Sequence, residues 1–214
     1  MDAYNEEYYR FRESTRDFLV EARLLYEMMM PDRASRILEV GCGAGALLAF
    51  LEERGHKATG VDISYEAVCL AEGKAPESTM LRAEASSLPF ADASFDRLAS
   101  HHLIEHLDDA TGALREWRRV LEPGGIMAIC TPNRPYPRPH IFDDPTHVHI
   151  YDGRDLEEAV REAGFRVDRV FTVFPHLYRD RISVKVGVPL YHAFVHLPYF
   201  KDRGRSLMLS ARRI

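Results

Sequence analysis

Three glycines spaced two apart close a short apolar run that carries one acid: Ile37-Leu38-Glu39-Val40-Gly41-Cys42-Gly43-Ala44-Gly45. A helix-like stretch, Ala46 to Glu53, follows. The pattern predicts a strand, a tight turn and a helix, with glycine wherever the backbone takes unusual dihedrals or lets a ligand approach. The acid two residues before Gly41 selects the ligand. A phosphate at such a turn would sit near a helix N-terminus and be repelled by Glu39, whereas a cofactor with an ammonium group would be attracted. Gly41, Gly43 and Ala46 also satisfy the GxGxxA dinucleotide fingerprint, so the turn alone leaves two cofactor classes open.

A second set of candidates is rich in histidine. His101, His102 and His106 follow a strand expected to end at Ser100. His140, His147 and His149 lie in a proline-rich loop, His140-Ile141-Phe142-Asp143-Asp144-Pro145-Thr146-His147-Val148-His149. Asp144, His147 and His149 could form a general base with its orienting acid, or bind a divalent metal.

These residues need elements to position them. Residues 6 to 30 read as a helix, with Tyr8, Phe11, Phe18, Leu24, Leu25 and Met28 at roughly helical spacing, ended by Pro31 and Asp32. Alternation begins next. Strands are expected at Arg36 to Val40, Lys57 to Val61, Thr79 to Ala83, Phe95 to Ser100 and Gly125 to Thr131. Helices are expected at Ala46 to Arg54, from Ser64 to Lys74, and at Asp109 to Leu121. Beyond the proline-rich loop come a helix, Asp152 to Glu162, a strand, Arg166 to Phe174, and a last strand, Ser206 to Arg212. Strands alternating with helices predict a parallel sheet covered on both faces, and ligands of such sheets bind beyond the carboxyl ends of the strands. The candidate residues fall at such ends.

Composition narrows the function. A chain of 214 residues, 46% hydrophobic, buries roughly 70% of its unfolded surface, so one cored domain over 1–214 is expected. The net charge of -5 lacks the basic footprint of a nucleic-acid binder. Cys42, Cys69 and Cys130 are odd in number and without CxxC spacing, which argues against disulfides or a zinc knuckle; Cys42 and Cys130 read as small buried hydrophobes. The first residues are polar and acidic rather than a signal peptide, and no apolar run is long enough to span a membrane, so a cytoplasmic location is expected.

Residues 36 to 131 resemble the class I S-adenosylmethionine-dependent methyltransferases, in the style of the ubiquinone and menaquinone biosynthesis type. The resemblance rests on several motifs in order: Leu38-Glu39-Val40-Gly41-Cys42-Gly43-Ala44-Gly45, Gly60-Val61-Asp62, Ala83-Glu84-Ala85-Ser86-Ser87-Leu88-Pro89-Phe90, Ser94-Phe95-Asp96, Glu105-His106-Leu107, and Glu116-Trp117-Arg118-Arg119-Val120-Leu121-Glu122-Pro123-Gly124-Gly125. It implies a doubly wound, Rossmann-like α/β fold with a seven-stranded mixed sheet, an antiparallel last strand and helices on both faces. It implies S-adenosylmethionine as cofactor and a small-molecule acceptor methylated on oxygen or nitrogen. Glu39 would hold the cofactor's ammonium end, Gly41, Cys42 and Gly43 would pack along its methionine and ribose, and Asp62 would accept from both ribose hydroxyls. Ile63 would pack on the adenine, Glu84 beside Ala85 would accept from its amine, and Ser100 would close the site at its strand end.

For catalysis the expected order is His147, then His149, with His102 beside the methyl-transfer position. Some quinone-pathway relatives are thought to bind a metal through Glu-x-x-Glu-His. The corresponding text here is His102-Leu103-Ile104-Glu105-His106, without the first acid, so no metal is expected. The resemblance makes residues 1–31 a helical lid, 36–131 the cofactor core, and 132–204 substrate loops, with residues 175–204 a possible homodimer element. Two other readings stay open: a nicotinamide-dependent oxidoreductase, and a non-catalytic S-adenosylmethionine-binding regulator.

Overall fold

Where both faces of a sheet are covered, strands read as nearly unbroken apolar runs. The computed structural model, which describes residues 16–136, 144–174 and 202–214, shows this arrangement. In chain order the elements are α1 Arg16–Met29, β1 Ile37–Val40, α2 Ala46–Glu52, β2 Ala58–Asp62, α3 Tyr65–Lys74, β3 Thr79–Arg82 and β4 Phe95–His101. A 3₁₀ turn Ile104–His106 follows, then α4 Ala110–Val120, β5 Leu121–Pro132, α5 Gly153–Glu162, β6 Phe165–Val173 and β7 Ser206–Arg213. The seven strands lie in the order β3-β2-β1-β4-β5-β7-β6. The first five run parallel, and β7 pairs antiparallel with both β5 and β6. The expected mixed sheet with an antiparallel last strand is therefore present. β5 begins earlier than expected, at Leu121, because Leu121 pairs with Phe95 ahead of a register shift.

Strand alternation divides the core in two. Leu38, Val40, Leu98, Met127, Ile129, Leu207 and Leu209 pack with Leu114, Trp117 and Val120 of α4 and Leu156 and Val160 of α5. Their neighbours Ile37, Ala99, Ala128, Cys130 and Met208 face the other way, onto Leu25 and Met29 of α1 and Leu47, Leu48 and Leu51 of α2. The period of two in each strand thus feeds two helical layers. Helix starts are capped as the sequence reads: Ser64 Oγ accepts from Ala67 N at 3.2 Å, Asp109 accepts from Gly112 N at 2.8 Å, and Asp152 accepts from Arg154 and Asp155 N at 2.9 and 3.0 Å. The N-terminal part of the first expected helix (6–15), His140 and residues 175–201 of the proposed dimer element lie outside the described residues.

Strand order reverses between β1 and β4, which opens a crevice at their carboxyl ends. Gly45, at the start of α2, has φ +82°, and a Cβ there would lie 2.8 Å from Ala71 Cβ of α3. Left-handed strain costs about 1–2 kcal/mol and overpacking about 1–3 kcal/mol. Gly45→Ala is therefore expected to lower unfolding free energy by about 2–4 kcal/mol in urea denaturation; a change within about 0.5 kcal/mol would show that this helix contact yields freely.

Candidate active site

The glycine turn is built by backbone bonds to β2. Gly41 N and Cys42 N both donate to Val61 O, at 2.8 and 3.0 Å, and all three glycines have positive φ. The turn is then locked by a side chain from the next strand end. Asp62 Oδ2 accepts from Gly43 N and Oδ1 from Ser64 N, each at 2.9 Å. Burial pushes the Asp62 carboxyl up, against the pull of the Ser64, Gly43 and Ile63 amides. Beside it Ile63 leaves 61% of its surface open, an apolar platform at the rim of the crevice.

Glu39 sits near the end of β1, opposite Gly60 and Ala99, with only 2% exposure. Cys42 lies against Gly60, where a Cβ would come within 3.0 Å of its Sγ. Burial, then the Glu39 and Asp62 charges, push the Cys42 thiol far up, which keeps it protonated and unreactive. Ser100 is fully buried at the next strand end, and its hydroxyl has no hydrogen-bond partner among the described residues.

Glu84 is exposed in the loop after β3, in a bridge with Ser87. That loop is fastened from below by α4. Trp117 Nε1 donates to Ala85 O at 2.9 Å, Glu116 accepts from Leu88 N at 2.8 Å, and Arg119 donates to Leu88 O and Phe90 O. Trp117 is accordingly a core residue that orients a rim loop.

The histidines gather around two buried carboxylates that the sequence reading passed over. Glu105, fully buried in the 3₁₀ turn, accepts from Thr131 Oγ1 at 2.9 Å and contacts His102 Nδ1 at 3.2 Å. Its backbone oxygen accepts from Val148 N and His149 N, tying the histidine loop to the 3₁₀ turn. Burial alone would raise the Glu105 carboxyl, but the His102 hydrogen bond and the His102 and His106 charges hold it at about 2. Glu21 of α1 faces His101 Nε2 at 2.9 Å and His102 Nε2 at 3.2 Å, with Ser206 Oγ donating to its other oxygen. Burial opposes its ionisation as well, and the His102 and His101 contacts hold its carboxyl well below the usual range.

The predicted catalytic residues thus occupy different settings. His102 turns one ring nitrogen toward each carboxylate. His147 is half-buried and stacks on His106 with ring centroids 4.8 Å apart, and its nearest ligating nitrogen lies within 4.8 Å of Glu105 and His106. Asp144 is bonded by Thr146, through N at 2.9 Å and Oγ1 at 2.5 Å, and Thr146 O in turn lies 3.0 Å from His106 Nδ1. His149 is 48% exposed by its side chain, 3.9 Å from Asp155 and packed on Tyr151. Glu21 is one of three acids on the charged and apolar text of α1, and nothing in that text sets it apart from Asp17 or Glu27; Glu105 lies within the Glu105-His106-Leu107 motif, which does not itself give its role as the acid beside His102.

The crevice, its glycine turn and the carboxylate at the following strand end stand where doubly wound sheets bind their ligands. Residues 38–129 match the model of the methyltransferase domain family. The O-methyltransferase resE of Aspergillus sclerotiorum is 31% identical over 201 residues, covering 82% of this chain and 75% of that one. A Mycolicibacterium smegmatis protein named "probable S-adenosylmethionine-dependent methyltransferase" is 31% identical over 171 residues, 79% of this chain. The chain spans 64% of the Mycolicibacterium smegmatis protein's length and 53% of a Mycobacterium tuberculosis one. A solved S-adenosylmethionine-dependent methyltransferase of Thermotoga maritima superposes with a TM-score of 0.72 over 98% of this chain and 95% of that one, at 20% identity, a likeness of fold. The chain belongs to the class I S-adenosylmethionine-dependent methyltransferases. The oxidoreductase and regulator readings find no support in these relatives. Among the described residues, no helix is long and apolar enough to cross a membrane.

The Gly43–Asp62 lock generates a prediction. A charged hydrogen bond contributes on the order of 1.5–3 kcal/mol, about 10–100-fold in affinity. Asp62→Ala is expected to weaken S-adenosylmethionine binding at least about tenfold by calorimetry, with far-ultraviolet circular dichroism unchanged. An unaltered affinity would remove Asp62 from the cofactor site.

Proposed function

We propose that this protein transfers a methyl group from S-adenosylmethionine to an oxygen or nitrogen of a small molecule. The observation that carries the reading is the glycine turn locked to Asp62 at the strand-order reversal, with the buried Ser100 hydroxyl lacking a hydrogen-bond partner among the described residues. Both features fit the cofactor: the turn leaves backbone rather than side chain along its methionine and ribose, and Ser100 Oγ has hydrogen-bonding capacity left for a ligand. Glu39, Gly41, Cys42 and Gly43 would hold its amino-acid end, Asp62 the ribose, and Ile63, Glu84 and Ala85 the adenine. When bound, it supplies a methyl group already activated on a sulfonium.

The protein's share is then to orient the acceptor, exclude water and take a proton if the nucleophile carries one. Orientation alone accounts for about 7–11 kcal/mol of barrier lowering in well-placed reactions. Both ring nitrogens of His102 are engaged by carboxylates, which suits it to positioning. His149, solvated and beside Asp155, is the weaker candidate for the base. His147 is the stronger one: its imidazole packs at a tilt against His106, and its ring nitrogen lies within 4.8 Å of the Glu105 carboxylate, inside the cluster at the strand ends. Relatives named as O-methyltransferases support methylation on oxygen, and one named demethylmenaquinone methyltransferase supports an apolar small-molecule acceptor. The low basic charge of the chain supports a small molecule over nucleic acid.

Transfer of labelled methyl from S-adenosylmethionine to metabolites of a cell extract tests the activity, and a protein that binds the cofactor without labelling anything would be a binding protein. General-base loss typically costs about 10²–10⁴-fold. His147→Ala is expected to lower kcat by at least about 100-fold, with cofactor affinity kept within about twofold. Full turnover in this variant would return His147 to a structural role.

A further inference from the structure

We propose that Glu21, His101, His102 and Cys130 form a binding site for a divalent transition metal of the zinc class, joining α1 to the carboxyl ends of β4 and β5. One ligating atom from each of the four lies within 4.8 Å of all the others. Glu21 Oε2 is 2.9 Å from His101 Nε2 and 3.2 Å from His102 Nε2, and His102 Nε2 is 3.9 Å from Cys130 Sγ. Tetrahedral zinc with bonds of about 2.0–2.3 Å needs ligand atoms roughly 3.3–3.8 Å apart; these three distances lie within about half an ångström of that spacing, and the other pairs, all within 4.8 Å, need to close by about 1 Å at most. Two imidazoles, a thiol and a carboxylate are the donor types that zinc takes.

The backbone is bent to make this convergence. Strand alternation puts His101 on the α1 side of the sheet with Ala99 and would aim His102 to the other side. His102 instead takes φ +53°, and the two rings meet with centroids 4.6 Å apart over Glu21. A left-handed histidine is strained and needs a compensating interaction. Beyond the four ligands stands an outer layer of the kind metal sites use. Glu105 holds His102 Nδ1, fixing the ring with Nε2 toward the cluster, and Ser206 holds the second oxygen of Glu21. His101 and His102 keep some solvent access, which gives an ion a way in. The set differs from the His102-x-x-Glu105-His106 text, in which Glu105 would be a ligand; here it serves as the second-layer acid. Binding is balanced by protons: the Cys130 thiol proton and the Nε2 proton of His102 leave, and the proton with which His101 Nε2 bonds Glu21 leaves or moves to Nδ1, freeing the Nε2 lone pair.

The test is titration of the metal-stripped full chain with Zn²⁺ and with Co²⁺. One ion per chain, a rise of several degrees in Tm with Zn²⁺, and a cobalt spectrum with tetrahedral visible bands plus a thiolate-to-cobalt band are expected. Cys130→Ser should abolish the thiolate band. Glu105→Gln should weaken binding about 10–100-fold, as loss of an outer-layer partner does. His101→Gln should weaken it further, and His147→Ala, which belongs to the neighbouring Glu105–His106 cluster, should leave the cobalt spectrum intact. Far-ultraviolet circular dichroism checks that each variant folds. No retained ion in the folded wild type, or a thiolate band that survives Cys130→Ser, would overturn the proposal. So would a spectrum that disappears with His147→Ala while His101→Gln keeps it.

Discussion

Both faces of the central sheet are buried, and that constraint decides where chemistry can occur. Side chains in the middle of β1, β4 and β5 are committed to one of two helical layers. Polar groups there would have to be desolvated, so they collect beyond the last apolar residue of each strand. The reversal of strand order between β1 and β4 then separates two of these ends enough to admit a ligand. Asp62 ends β2, Ser100 and His101 end β4, and Glu39 is the penultimate residue of β1.

The crowding has an electrostatic consequence. Glu21 and Glu105 are buried carboxylates, and a buried charge is tolerated only when paired and hydrogen-bonded. His102 lies between them and touches both. The groups on α1, β4, the 3₁₀ turn, β5 and β7 are thereby joined through one imidazole, so a change at any of them reaches the strand ends. Glu105 also carries the histidine loop on its backbone oxygen, which couples the loop's position to the same network.

Much of this arrangement is legible in the sequence. The glycine turn, the acid at Asp62, the serine cap at Ser64 and the alternation of strands and helices are local signals, each written in consecutive residues. Trp117 can be placed in the core from its helix alone. What escapes is non-local or conformational. Glu21 is separated by some eighty positions from the histidines it meets, and nothing in the text of α1 marks it. The turn at His102 reverses the side on which its ring emerges, and no residue-type rule forecasts a positive φ at histidine. Cys130 reads as a small apolar residue from its strand, which describes its burial and omits its sulfur. The start of β5 is hidden because pairing with Phe95 extends the strand back through Pro123-Gly124-Gly125, text that locally signals a turn.

The placement of β7 bears on how the molecule comes together. It is the last strand in chain order, yet it lies between β5 and β6. Among the described residues β6 pairs with the sheet only through β7, so β6 has no strand partner until β7 has entered the gap. Closing that gap brings Met127 beside Ala211 and Ile126 beside Arg212, pairings of long sequence separation that carry a large loop-closure entropy. Assembly of this side of the molecule is therefore expected to be late and slow relative to the β1–β4 half, whose contacts are nearer in sequence. Until then, the apolar edge of β5 is open, and it is the stretch of this chain most exposed to pairing with the wrong strand.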